Sequence, residues 1–228
     1  MFLNIQPDDS ILIVAPHPDD ETIGTGGLLL GYASQCDVLL LSDGRRGHVK
    51  NCPLTEDEVA ERREKEFIAV MQKLGVRSYR LLRIPDHKIR WNFLEILKAG
   101  VGRYTHVFVP CRIDAHKDHR AAYRAFSFLT FFMHNRPKLC EYEVWTPLPH
   151  YNALLDISDN IQQKRDLMKL YPSQMECMDY EGMLSGLNRY RGACVNKKAC
   201  EAYFVHEGFS RTIKEKFLKE YRRHFRKK

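Results

Sequence analysis

The chain has 228 residues, 44% of them hydrophobic and 29% charged, with a formal net charge of +7. That length suits one α/β domain with a substantial core, so a single domain over 1–228 is expected. No apolar run approaches the roughly 20 residues that cross a bilayer, residues 1–9 carry no leader pattern, and no nucleic-acid-binding motif accompanies the charge.

Strand and helix signals alternate along the chain, which predicts an α/β fold with a largely parallel sheet. The first strand is 11–15. It runs into Ala15-Pro16-His17-Pro18-Asp19-Asp20-Glu21 and then into a helix, 21–34, whose start is rich in glycine. A second buried strand is 37–42, followed by a polar loop, 43–53, with Gly44 and Gly47. Thr55 and Glu58 form a capping box, and the helix they open runs to Leu74, where Gly75 ends it. Ala60, Phe67, Val70, Met71 and Leu74 lie on its buried face.

A strand at 78–82, a short helix at 92–99 and a strand at 106–110 follow. Just beyond that strand stands His116-Lys117-Asp118-His119, which opens a helix, 119–133, with Ala122, Ala125, Phe126 and Leu129 inward. Strands are expected at 141–146 and 153–157, then a helix capped by Ser158 or Asp159 that reaches Tyr171. After Pro172 the pattern weakens until a last strand at 202–205.

Cysteines 36, 52, 111, 140, 177, 194 and 200 are odd in number and contain no CxxC pair. In a chain without a secretory signal they read as reduced thiols, and a cytoplasmic protein is expected. Eight of the last fifteen residues are Lys or Arg. They form either a solvated helix face or a surface that attracts an anionic substrate or, peripherally, an acidic membrane. The aromatic run 126–132 packs in the core or between subunits of a homo-oligomer.

The two motifs carry the chemistry. Both follow strands, where open α/β sheets place ligand sites. Together they supply His, Asp and His, the composition of a catalytic zinc site. Asp19 and Asp20 are adjacent, so their side chains diverge: one can bind a metal while the other faces the water on it. His116 and His119, three apart, share one side of a helix start; one can ligate while the other meets a developing oxyanion or a leaving amine. Asp118 is placed to accept the second N–H of a neighbouring histidine. Around them, Asp43, Arg45, Arg46 and His48 border the same sheet edge and are candidates to bind substrate, and His87, after the third strand, is a candidate for the rim. Trp91 and Trp145 offer faces for a sugar, although burial is the commoner use of tryptophan. Gly24-Thr25-Gly26-Gly27 lacks GxGxxG spacing, and the acids ahead of it would repel a pyrophosphate, which disfavours a dinucleotide site.

The combination resembles the LmbE-like/PIG-L family of zinc-dependent N-acetylglucosamine deacetylases. The likeness rests on 15–21 and on HKDH at 116–119. Supporting stretches are Arg63-Glu64-Lys65-Glu66 leading to Leu74-Gly75-Val76, then Tyr171-Pro172-Ser173-Gln174, and the late strand from Glu201. The resemblance implies a Rossmann-like fold and one divalent metal, usually zinc, with Fe²⁺, Mn²⁺ or Co²⁺ as alternatives for such ligands. By motif position it implies His17, Asp20 and His119 as ligands, Asp19 as general base, His116 as oxyanion donor with Asp118 behind it, and Arg63 facing the substrate. Lys117 stands where many relatives have proline.

The implied reaction removes an N-acetyl group from an amino-sugar conjugate, a glycan or sugar-nucleotide intermediate, releasing acetate and a free amine. A metal-dependent amidohydrolase acting on a non-sugar N-acyl compound needs the same site. A non-catalytic sugar- or nucleotide-binding protein has no need for a base and an oxyanion donor beside three ligands.

Overall fold

The computed structural model describes residues 1–48, 52–133 and 137–206. The basic cluster at the C-terminus lies outside the described residues. The chain runs β1 (Ile11–Ala15), α1 (Asp20–Tyr32), β2 (Cys36–Ser42), α2 (Glu56–Leu74), β3 (Ser78–Ile84), α3 (Phe93–Leu97), β4 (His106–Pro110), α4 (Lys117–Phe132), β5 (Lys138–Tyr142), β6 (Ala153–Asp156), α5 (Ile161–Met168), α6 (Pro172–Met175), α7 (Tyr180–Ala193) and β7 (Cys200–Val205).

The strands form one seven-stranded sheet in the order β3-β2-β1-β4-β5-β7-β6. The first five are parallel, and β7 runs antiparallel to both β5 and β6. This is the expected α/β, Rossmann-like architecture. The central strands β1 and β4 are buried along their whole length, so they read as unbroken apolar runs rather than alternating ones. Successive residues still divide between the faces. Ile11, Ile13 and Ala15 join the core beneath α1, α2, α5 and α7, while Leu12 and Val14 join the one beneath α3 and α4.

The order reverses between β1 and β4: the chain leaves β1 toward β2 and β3 on one side, then crosses to β4 and β5 on the other. Crevices for ligands open at the strands' carboxyl ends at such a switch point. Both motifs sit there, one after β1 and one after β4.

Local signals mostly match. Thr55 and Glu58 form both bonds of the capping box, and Gly75 closes α2 with φ 65°. Helix α1 departs from a regular helix at Thr25 (φ −137°, ψ 16°). The break frees the amides of Gly27 and Leu28, and both donate to the Glu201 carboxylate of β7 (2.7 and 3.0 Å). Lys164 neutralises that carboxylate at 2.7 Å, fully buried. At Gly24 a Cβ would fall 2.0 Å from the Tyr142 ring, so only glycine lets α1 approach β5 here.

Two expectations fail. The strand foreseen at 141–146 is β5, ending at Tyr142, because the backbone amides of Trp145 and Thr146 turn to the Asp114 carboxylate instead of a strand (3.1 and 3.3 Å). Helix α7 was not foreseen. Gly182, Gly186 and Gly192 lower its helix propensity, and its buried face carries Ser185, Asn188 and Arg191, which interrupt the apolar period. Among the described residues no helix is long and apolar enough to cross a membrane.

Candidate metal centre

The Pro16–Asp20 turn leaves β1 with Asp19 at φ 118° and ψ −32°, a region that side chains other than glycine rarely occupy. Such strain costs of order 1–3 kcal/mol and persists only where surrounding bonds hold it. Here they do. The Asp19 carbonyl accepts from the amides of Thr22 and Ile23 (both 2.9 Å), and its amide donates to Glu21 Oε2 (3.3 Å). The turn points Asp19 and Asp20 in different directions.

Asp20 Oδ2 stands 3.2 Å from His17 Nδ1 and 3.1 Å from His119 Nε2, and the two ring nitrogens are 3.2 Å apart. For ligand bonds of about 2.0–2.1 Å, the edge of a tetrahedral zinc site is about 3.3 Å. The far sides of both rings explain which atoms converge. His17 Nε2–H donates to Asp86 Oδ1 (3.2 Å), with Asp118 Oδ2 at 3.6 Å. His119 Nδ1 faces Asp114 Oδ1 at 3.2 Å, off the axis of its N–H, so this is a close charge contact rather than an aligned hydrogen bond. With protons on those outer nitrogens, three lone pairs meet at one point. Only a cation or extra protons relieve that repulsion, so the donor set fits a divalent metal.

Two other groupings lie within reach of an ion: His17 with His116 and His119, and His17 with Asp86 and Asp118. The second engages the outer nitrogen of His17, whose N–H already accounts for the carboxylates. The convergent triangle is the better cage.

Electrostatics follow from this crowding. Burial works against the Asp20 carboxylate, but His119 and His17 outweigh it and hold it far below the usual carboxylate range. Burial likewise opposes the charged form of His119, yet Asp20 and Asp114 raise it to about 9. His17 rises well above its ordinary value against burial, through Asp118, Asp20 and Asp86. Asp19 is pushed up to about 8 by burial, which exceeds the opposing pull of Arg63.

His116 caps α4, and its Nδ1 accepts from the Asp118 amide (3.3 Å). That bond puts the ring proton on Nε2. Burial, then the His17 and His119 cations, depress it to about 4, so the ring is neutral. Asp118 differs from expectation. Its carboxylate does not stand behind His116; Oδ2 accepts from the His87 amide (2.8 Å) and lies on the outer side of His17. At the first turn of α4 the backbone amide holds His116, which leaves the side chain to the other histidine.

The remaining candidates separate. Arg63 borders the cleft, but its guanidinium is tied to the loops: Nη1 to Gly44 O (2.9 Å), Nη2 to Pro18 O (2.5 Å) and to Asp19 Oδ2 (3.2 Å). These bonds fix Asp19, and Arg63 still lines the cleft. Gly47 makes room for it, since a Cβ there would lie 2.1 Å from Nη1. Glu66, one turn on, holds the Ser173 amide and hydroxyl (3.0 and 2.5 Å), and Gln174 donates to Gly47 O (2.8 Å). The two supporting stretches thus clamp one loop. Asp43 does not line the cleft. Its Oδ1 accepts from the amides of Asp86 and Arg45 (both 3.1 Å), which sets the loop that carries Asp86 to His17. Arg46 lines the cleft with its side chain half exposed, whereas His48 is exposed and outside it.

Asp86 and Asp114 were missed. Each is a lone acid in a loop. Asp114, fully buried, also accepts from the His116 amide (2.8 Å) and from Trp145 and Thr146. Trp145 was expected inside; it is 38% exposed on the cleft wall, and Trp91 is 69% exposed elsewhere. The open cleft encloses ≈120 Å³, with Asp19, Asp20, His17 and His116 on its floor.

A carboxylate carried on a strained turn, a neutral imidazole donor and a three-ligand cage at a switch point make a site suited to metal-assisted hydrolysis. The family model for GlcNAc-PI de-N-acetylase (PIG-L) matches residues 12–129, just over half of the chain and including both motifs, and the protein belongs to this deacetylase family. It is 38% identical over 82 residues to 1D-myo-inositol 2-acetamido-2-deoxy-alpha-D-glucopyranoside deacetylase of Kineococcus radiotolerans, a match that covers 33% of this chain and 23% of that one. It is 24% identical over 127 residues to the probable N-acetyl-alpha-D-glucosaminyl L-malate deacetylase 2 of Bacillus cereus, covering 50% and 58%. The matches thus span less than two thirds of these relatives' length.

In fold, the chain superposes on N,N'-diacetylchitobiose deacetylase from Pyrococcus horikoshii with TM-score 0.70 and 20% identity, over 88% of this chain and 84% of that one. It also superposes on GalB, the 4-carboxy-2-hydroxymuconate hydratase of Pseudomonas putida KT2440, with TM-score 0.68 and 20% identity, over 89% and 97%. One fold therefore carries both activities, and the reaction has to be argued from the site.

Proposed function

We propose that the protein is a zinc-dependent hydrolase that removes the N-acetyl group from an amino-sugar conjugate, giving acetate and a free amine. The observation that carries this is the meeting of His17 Nδ1, Asp20 Oδ2 and His119 Nε2 at 3.1–3.2 Å, with Asp19 beside them. A divalent ion held by these three would supply Lewis acidity and an acidified water.

The chain's own groups do the rest. Asp19, fixed by Arg63, accepts the proton of the attacking water. Its raised proton affinity suits a base that works near neutral pH, and a nearby dication favours its ionised form. His116 presents Nε2–H to the charge that develops on the carbonyl oxygen. The amine leaves with a proton returned from Asp19 or His116. No Ser or Cys nucleophile is required. The relatives' names, which specify glucosaminides of inositol and malate, support a small N-acetylglucosaminyl substrate. Seven unpaired cysteines support a reducing, cytoplasmic setting.

The test is to incubate zinc-loaded protein with N-acetylglucosaminides of differing aglycone and assay acetate and new primary amine. Release abolished by a chelator and restored by zinc is the expected result. Stoichiometric zinc with no release from any N-acetylated sugar would reject the reading.

A further inference from the structure

The cleft is lined by polar Arg46, His87 and Gln174 and by the aromatic pair Trp145 and Tyr180. Trp145 lines the cleft and is 38% exposed, so part of a rigid, amphipathic ring is open to a ligand. Trp145 is also held unusually firmly for a residue outside any strand or helix. Its amide donates to Asp114 Oδ2 (3.1 Å), and the hydroxyl of Thr146 accepts from the Ala115 amide (2.9 Å). Val144, just before it, is buried in the core. Its ring meets Tyr180 edge to face, with centroids 5.8 Å apart at 63°. The carboxylate that anchors Trp145 also bonds the His116 amide and faces His119. The backbone that carries the indole is therefore tied to the carboxylate that also supports His116 and His119, and the Tyr180 contact orients the ring.

We propose that Trp145 is a specificity-determining residue: its indole is the platform on which the C–H face of the substrate's pyranose ring packs. This rests on the deacetylase reading above. The negative face of an aromatic ring attracts the weakly positive C–H edge of a saturated ring, and a two-torsion side chain loses little entropy in doing so. With the ring on Trp145, the acetamide reaches toward His116 and the metal cage, and Arg46, His87 and Gln174 are the lining groups left for the sugar hydroxyls. The platform selects cyclic amino sugars over acyclic N-acetyl amides that present the same scissile bond.

The experiment compares an N-acetylglucosamine glycoside with N-acetylethanolamine on zinc-loaded wild type, Trp145→Ala and Trp145→Phe. Trp145→Ala is expected to raise KM for the glycoside about tenfold or more, with a smaller change in kcat, to leave kcat/KM for the acyclic amide within about twofold, and to be largely rescued by Trp145→Phe. A binding readout needs no turnover. Trp91 lies outside the cleft beneath Arg90, so in Trp91→Phe the sole tryptophan is Trp145, and its emission should shift on adding the glycoside to metal-free protein. Equal loss of kcat/KM for both substrates, or emission unmoved by the glycoside, would overturn the platform. If chelator-sensitive acetate release persists, the deacetylase reading survives that result. A shift in emission with no acetate released from any amide would retain the platform and remove the reaction.

Discussion

Asparagine at Asp114 changes one atom and should disturb both histidines. Oδ1 of Asp114 accepts from the His116 amide at 2.8 Å and faces His119 Nδ1 at 3.2 Å, while Oδ2 accepts from the amides of Trp145 and Thr146 at 3.1 and 3.3 Å. Every neighbour is a donor. Asparagine must aim its NH2 at one pair or the other. Aimed at Trp145 and Thr146, it strands two part-buried amides, at up to about 1–3 kcal/mol each. Aimed at His116 and His119, it strands one amide and opposes the ring N–H. The second orientation is cheaper, so the expected loss of stability is about 1–3 kcal/mol, placed on the histidines. Zinc affinity should fall about 10–100-fold, the usual cost of losing a partner behind a ligand. Urea unfolding of the metal-free protein and zinc competition against a chromophoric chelator read the two effects separately. A wild-type unfolding midpoint together with wild-type zinc affinity would refute the assignment of Asp114 to the support of this cage.

Three further outcomes are expected. Asp19→Asn should keep zinc and lose about 10²–10⁴-fold in kcat; loss of zinc would instead make Asp19 a ligand. In metal-free protein His119 is raised from 6.5 to about 9, so its extra stabilisation is complete below pH 6.5 and is lost as pH rises through 9. Asp19, protonated below about 8, adds a loss of the same sign. Metal-free protein should thus melt lower at pH 9 than at pH 6.5, and zinc uptake at pH 7 should release protons, as calorimetry in buffers of different ionisation enthalpy will show; uptake without proton release contradicts the raised values. Lys164→Met leaves Glu201 buried with Gly27, Leu28 and Tyr203 as donors but no cation. It should cost about 3–5 kcal/mol in denaturant unfolding, and an unchanged midpoint would show that the three neutral donors suffice.

What could be read from the chain alone follows from how far each interaction reaches. The capping box at Thr55 and Glu58 closes within three residues, and it is present as expected. The two motifs are contiguous runs that follow buried strands, so their arrival at one sheet edge could be anticipated before any geometry was known. The supports could not. Asp86 meets His17 from 69 residues away, and Arg63 meets Asp19 from 44. Neither distance leaves a local trace. Asp118 shows the limit most sharply, because its neighbour in sequence, His116, receives its amide while a histidine on another strand's turn faces its carboxylate. Adjacency along a helix start settles backbone bonds; side-chain partners are settled by which strands lie side by side. The reversal of strand order between β1 and β4 sets the two motifs face to face. The same reversal lets lone loop acids, mute in sequence, decide which ring nitrogens carry protons and therefore where a metal can sit.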